Sequence, residues 1–309
     1  MKKLVCVAGP TCSGKTSLGI EIAKEFDGEI ISADSMQIYR ELNIGTAKPS
    51  KEEMEGIPHH LIDIVNPDGE FSVKEFVDMA NEKIEDITKR GKLPIVVGGT
   101  GLFISSLIDN VQFSDGEADE DLRKELSDIA DKKGAEFLHS MLKDIDYDSY
   151  LRLHPNNIKR VIRAIEIYKT TGITMTEQIK NSKNKPSDFN LCYIGLNTDR
   201  EIIYDRINKR VDIMIEKGLL DEVKALKEKG YTTLNKSMQA IGYKELFLYL
   251  DGKLTLNEAV DLIKQESRRY AKRQLTWFRR DERIKWIDIK ECNTVLKQMD
   301  AVRECIKAL

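Results

Sequence analysis

The sequence predicts an α/β protein: a parallel sheet with helices on both faces, interrupted by a helical insertion. Three observations carry this. Short apolar runs alternate with helical stretches up to about residue 110. The alternation stops near Val111, where an acidic, helical stretch without strand signals begins. A strand-like run, LCYIGL at residues 191–196, then marks a return to the sheet. The expected division is a core of 1–112 and 190–309 around an insertion of 113–189.

The elements follow in order. Residues 3–8 form a first buried strand ending in a glycine-containing loop, and residues 15–26 a helix with Leu18, Ile22, Ala23 and Phe26 on one side. A second strand spans 29–33 and ends on Asp34. Residues 72–90 are a helix opened by a Ser72/Glu75 capping box and closed by Gly91. A strand at 92–97 runs into Gly98-Gly99-Thr100-Gly101, and a helix follows over 102–108. Residues 115–148 read as helical, and 156–171 as a helix closed by Gly172. Residues 181–190 are polar and loop-like. After the return, 199–230 is one long helix or a pair jointed at Gly218; 237–250 and 256–280 are helices, and 285–289 a short strand.

Composition limits the function classes. Of 309 residues, 41% are hydrophobic and 33% charged, the balance of a soluble globular chain. No apolar run approaches the roughly 18 residues of a membrane span, so no membrane role is expected and the cytoplasm is the expected compartment. Cys6, Cys12, Cys192, Cys292 and Cys305 are scattered with no C-x-x-C pair, which argues against a zinc site or a disulfide framework. A net charge of -3 does not announce a nucleic-acid binder, but the basic residues are unevenly spread.

GPTCSGKT, residues 9–16, lies between a strand and a helix, the context in which G-x-x-x-x-G-K-[ST] is a phosphate-binding P-loop, usually ATP-binding. Gly9, Pro10, Thr11, Cys12, Ser13 and Gly14 are expected to curl round a phosphate, the backbone N–H groups available there pointing inward. Lys15 adds a full charge, and Thr16 a hydroxyl for Mg²⁺. The fold class is thus P-loop NTPase-like. The loop recognises phosphates, not what carries them. A kinase on this fold wants a metal-linked acid after a later strand, yet 95–97 leads into glycines; Asp34 is the nearest acid. A GTPase-like module would carry an N/T-K-x-D motif, which is missing.

Seven blocks together resemble the tRNA dimethylallyltransferase (tRNA isopentenyltransferase) family. They are GPTCSGKT (9–16), ISADSMQIYRELNIGTAKP (31–49), PHHLID (58–63), VVGGTGLF (96–103), HPNNIKRVIRAIE (154–166), QAIGYKE (239–245) and AKRQLTWFRRD (271–281). The cysteine–histidine finger of eukaryotic members has no counterpart, so the resemblance is to the bacterial type. It implies transfer of a dimethylallyl group from dimethylallyl diphosphate to N6 of the adenosine 3′ of the tRNA anticodon, with release of pyrophosphate. The loop then holds a leaving group.

The resemblance assigns catalytic roles to Asp34, Thr100 and Lys15. Asp34 accepts the N6 proton or, alternatively, is an outer partner of Mg²⁺. Thr100 donates toward the bridging oxygen or merely stabilises its turn. The substrate base must leave its stack to react, and Asp34, Ser35, Met36 and Gln37 match the segment that holds it; Met36 and Ile38 have core positions as their alternative. RNA contacts carry over onto Thr100, Arg123, Lys159, Arg160, Val161, Ile162, Arg163, Gln239, Gly242, Tyr243 and Lys244. Lys159, Arg160 and Arg163 cluster on one side of their helix, away from Ile158, Val161, Ile162 and Ile165. Arg268, Arg269, Lys272, Arg273, Arg279 and Arg280 form a further basic element, and Tyr270 and Trp277 read as core. Arg206 and Arg210 either reach the diphosphate or pair on the surface. The partners implied are the tRNA anticodon stem-loop and dimethylallyl diphosphate, with the protein a monomer.

Overall fold

A computed structural model describes residues 1–111, 119–183 and 188–309. The chain divides into two compact units, residues 1–107 with 188–309, and residues 108–187. The expected boundary at 112/113 and part of the polar stretch 181–190 lie outside the described residues.

The first unit is built on a six-stranded sheet, every pair of it parallel: β1 (Lys2–Ala8), β2 (Gly28–Ala33), β3 (His59–His60), β4 (Leu93–Gly98), β5 (Phe189–Asn197) and β6 (Lys285–Asp288). Their order across the sheet is β3-β2-β4-β1-β5-β6. Its helices are α1 (Lys15–Glu25), α2 (Val73–Lys89) and α3 (Gly101–Ile108), the last ending at the unit boundary. The second unit holds α4 (Glu120–Lys133), α5 (Ala135–Ser140), α6 (Leu142–Ile145), α7 (Tyr147–Arg152), α8 (Ile158–Thr171) and α9 (Met175–Lys183). The first unit resumes with α10 (Arg200–Glu216), α11 (Leu219–Glu228), α12 (Tyr243–Leu250), α13 (Leu256–Phe278) and α14 (Val295–Lys307).

The strands are apolar on both faces because both are covered. Val5, Val7, Ile30, Ile95 and Ile194 pack with Leu18 and Ile22 of α1 and Met299 and Val302 of α14. Leu4, Cys6, Ile31 and Val96 alternate to the other face and are equally buried. Phe76, Ala80, Ile84 and Ile87 of α2 are buried along one stripe, and the Ser72/Glu75 capping box is formed.

The helical unit has its own core of Leu126, Leu138, Leu142, Val161, Ala164 and Ile165. Asp146 anchors it locally, accepting from the amide and hydroxyl groups of both Ser149 and Thr176.

Five features depart from the sequence expectation. Residues 237–250 are not one helix: Ser237–Gln239 is a 3₁₀ turn, and Gly242, at φ 101°, restarts the chain as α12. Strand β3 and helices α9 and α14 carry no expectation at all, and α9 runs on to Lys183, into the stretch read as loop-like. Finally, Cys192 of β5 and Cys305 of α14 are disulfide-paired, their Cα atoms 6.0 Å apart. That pairing depends on α14 lying against β5, a contact between elements that cysteine spacing does not encode.

Candidate active site

The site is placed by strand register. Ala8 pairs with Gly98, and Gly98 pairs with Ala33, so β1, β4 and β2 end at one level. Gly9, Gly99 and Asp34 therefore leave the sheet side by side, although the sequence separates them widely. From β1 the chain crosses toward β2, and from β5 toward β6, in opposite directions. The crevice at such a reversal is where open parallel sheets bind ligands.

The loop from 9 to 16 fills that crevice. A Cβ on Gly9 would come within 2.8 Å of Ser13 Oγ and 3.0 Å of the Leu196 carbonyl in β5. Gly14 lies in the left-handed region at φ 87°, and Cys12 shares that region at φ 63°. Pro10 O accepts from the Ser13 N–H at 3.3 Å and from Lys15 Nζ at 3.3 Å. Burial pushes the Lys15 ammonium down, the Asp34 carboxylate opposes that shift, and Arg210 adds to it. Ser13 Oγ is buried with no hydrogen-bond partner, and Thr16 sits partly exposed in the first turn of α1. Arg210 turns to the loop rather than to a surface carboxylate: Nη1 reaches Thr11 Oγ1 at 3.3 Å and Cys12 Sγ at 3.6 Å. Arg206 is exposed, and its neighbour Asp205 pairs instead with Lys209.

Asp34 begins an Asx turn. Its Oδ1 accepts from the N–H groups of Met36 at 2.9 Å and Gln37 at 3.4 Å. Thr100 is stitched to the same segment: its N–H donates to Ala33 O at 3.1 Å, and its Oγ1 accepts from Ser35 N–H at 3.0 Å.

Asp34, Ser35 and Met36 line a cavity of about 330 Å³ together with Thr11, Cys12, Arg210 and Tyr270. Ile207, Val211 and Met214 of α10, with Ile241 and Ile263, supply its apolar wall. Gln239, Gly242 and Lys244 line it too.

Several assignments need correction. The Gln37 amide is engaged within the protein, accepting from Ser32 Oγ and donating to the Thr46 and Ala47 carbonyls, so it is not free to read a base edge. Ile38 is core, whereas Met36 faces the cavity. Tyr243 is fully buried, its ring against Gly45, and supports the cavity wall rather than a ligand. Trp277 packs on Gly101 and donates to Ser105 Oγ at 3.0 Å, as a core residue does, but Tyr270 belongs to the cavity.

In the helical unit, Lys159 and Arg160 are exposed, whereas Val161 is buried in that unit's core and its side chain has no surface to offer. Ile162 is partly buried against the same core. Glu166, fully buried, accepts from Arg163 Nη1 at 2.8 Å, Arg123 Nε at 2.8 Å and Asp119 N–H at 3.0 Å. Burial opposes its ionisation, but these donors hold its carboxyl below the usual range. Arg123 and Arg163 are thus set side by side by one carboxylate. Sequence reasoning missed Glu166, Glu222 and Gln274; each is a polar residue within a helix, which by pattern alone belongs to the solvent face.

A phosphate-gripping loop, a carboxylate and a hydroxyl at the carboxyl edge of a parallel sheet, beside an apolar-walled cavity, define a P-loop-type group-transfer enzyme. The chain belongs to the IPP transferase family, whose pattern matches residues 37–281. It is 54% identical over 291 residues to the tRNA dimethylallyltransferase of Acetivibrio thermocellus, covering 94% of this chain and 93% of that one. Among solved structures, the full-length tRNA isopentenylpyrophosphate transferase of Bacillus halodurans superposes with a TM-score of 0.74 at 46% identity, covering 100% of this chain and 98% of that one. A eukaryotic dimethylallyltransferase acting on tRNA matches with a TM-score of 0.79 at 33% identity, covering 99% of this chain and 78% of that one. The family match begins at Gln37, so the phosphate loop and Asp34 lie just before it; the full-length relatives extend across them.

Proposed function

We propose that this chain transfers a dimethylallyl group from dimethylallyl diphosphate to N6 of the adenosine 3′ of the anticodon in tRNA, releasing pyrophosphate. One observation supports it above the rest. The strand ends hold a diphosphate grip, a carboxylate and a threonine together, and the cavity beside them has an aliphatic wall suited to a five-carbon chain. A nucleotide kinase would instead need a surface for a purine and ribose there.

The N6 lone pair forms the new bond to the allylic carbon as the carbon–oxygen bond breaks, and pyrophosphate leaves with that electron pair. Negative charge then grows on the leaving group. Lys15, Arg210 and the loop amides face that charge. Thr100 donates toward the bridging oxygen, and Asp34 takes the N6 proton through the carboxylate oxygen its turn does not use.

Mg²⁺ fits this site in a limited way. Among the described residues no group of three acidic, histidine or cysteine side chains is arranged to hold a metal. The Thr16 hydroxyl would therefore share the ion with diphosphate oxygens and water, the usual Mg²⁺ arrangement at phosphates. When bound, the ion supplies charge neutralisation of the diphosphate. Exposed Lys159 and Arg160, and the paired Arg123 and Arg163, would meet the phosphates of the anticodon stem-loop. No described helix is long and apolar enough to cross a membrane, and a monomer acting in the cytoplasm completes the reading.

The test mixes protein, Mg²⁺, unmodified tRNA and labelled dimethylallyl diphosphate. Label entering RNA without ATP supports the assignment; ATP turnover with unlabelled RNA overturns it.

A further inference from the structure

Helix α13 meets the loops at the sheet edge with a row of side chains one turn apart: Tyr270, Gln274 and Trp277. Gln274 is only 6% exposed. Its Oε1 accepts from the Thr11 N–H at 2.9 Å, and its Nε2 donates to the Gly99 carbonyl at 2.9 Å. The approach to the glycine turn is so close that a Cβ on Gly99 would lie 2.2 Å from Nε2. Tyr270 lies beside Thr100 and Gln274, where burial pushes its phenol up to about 12. A single amide thus ties the phosphate loop, through the residue four before Lys15, to the turn that carries Thr100. Only a group with a donor and an acceptor at one tip can bridge an N–H and a carbonyl at once. A carboxylate would set negative charge against the Gly99 oxygen, and an apolar side chain would leave both backbone groups unpaired.

We infer that Gln274 is a positioning residue for group transfer, fixing the spacing between the diphosphate loop and the Thr100 turn. The inference rests on the role proposed above for Thr100. Leaving-group stabilisation needs Lys15 and Thr100 on one diphosphate at the same moment. Each sits on a separate loop, and the loops meet through β1, β4 and this amide. A small drift of either loop would lose rate without losing substrate.

The experiment compares T100A, Q274M and the double variant with the wild type. It reads kcat at saturating dimethylallyl diphosphate and tRNA, tRNA affinity by fluorescence anisotropy, and the unfolding midpoint. Gln274→Met should slow kcat by about 10–100-fold, the scale of an ångström-sized misplacement, with tRNA affinity unchanged. In the Thr100→Ala background the same change should cost no more than about threefold, because both act through one contact. Gln274→Glu, which keeps the acceptor, should fall between wild type and Gln274→Met, and carries the same cycle should Gln274→Met not fold. A wild-type rate for T100A overturns the Thr100 reading itself. A slow T100A with Gln274 effects that multiply fully, or a Gln274→Met enzyme that is merely less stable at undiminished kcat, overturns this inference alone.

Discussion

The Tyr243 phenol donates a 2.6 Å hydrogen bond to Glu222, and the same carboxylate accepts the backbone N–H groups of Asn43, Ile44 and Gly45. Two helices, α11 and α12, thereby clamp the strand of loop that forms the Gly45–Thr46–Ala47 side of the cavity. The Gln37 amide holds the same loop from within, through the Thr46 and Ala47 carbonyls.

Removing the clamp should loosen that wall. Glu222→Ala strands three amides and a phenol and should lower stability by about 1–3 kcal/mol. Gly45→Ala places a methyl 2.4 Å from the Tyr243 ring and forces loop or ring to move. Both should raise KM for dimethylallyl diphosphate more than they alter tRNA binding; urea titration and steady-state kinetics check this.

Asp34→Asn isolates charge from shape, because an amide oxygen still accepts from the Met36 N–H and preserves the turn. The expected result is a kcat lower by about 10²–10⁴-fold with anisotropy-measured tRNA affinity intact. Equal loss of rate and affinity would reassign Asp34 to binding.

Glu29 contributes to the acid limb of stability. Hydrogen bonds from Arg90, reinforced by His60 and opposed by burial, bring its carboxyl from 4.5 to about 2. The folded state binds this proton less readily than the unfolded chain. The contribution is therefore complete above pH 4.5 and drains away as pH falls through 2. It amounts to roughly 3 kcal/mol. Glu29→Gln should lessen the pH dependence of the urea midpoint across that window.

Glu166 offers a comparable test in the helical unit. Glu166→Ala leaves Arg123 and Arg163 without the buried carboxylate that aligns them, a loss of about 1–3 kcal/mol because both guanidiniums keep contact with solvent. Hydrogen exchange should accelerate within residues 119–183 first.

Binding of tRNA should weaken steeply with salt. Lys159→Ala and Arg160→Ala should each reduce the slope of log affinity against log salt by about one and weaken binding equally across anticodon sequences. An unchanged slope would remove these two side chains from the interface.

The sequence spoke most clearly where local chemistry suffices. The Ser72/Glu75 box announces α2, Gly172 ends α8 in the left-handed region, and Gly218 separates α10 from α11. The strand–loop–helix turn at residues 9–16 is legible for the same reason, because its pattern spans eight consecutive residues. What escaped notice depends on partners remote in sequence. Strand β3 is two residues long and exists only by pairing with Ile30 and Ile31. Gln37 follows Asp34 by three residues and by pattern is available, yet its amide is engaged by residues nine and ten positions onward. Gln274 and Glu222 are helix-interior polar residues whose targets lie 263 and 178 positions away.

The separate core of the helical unit has an evolutionary corollary. Leu126, Leu138, Leu142 and Ile165 satisfy one another, so selection can lengthen, trim or wholly replace that segment without rebuilding the parallel sheet. Descendants of this architecture are free to retune one module at a time, and a chimera carrying a relative's helices on this chain's chemistry is a natural object to build.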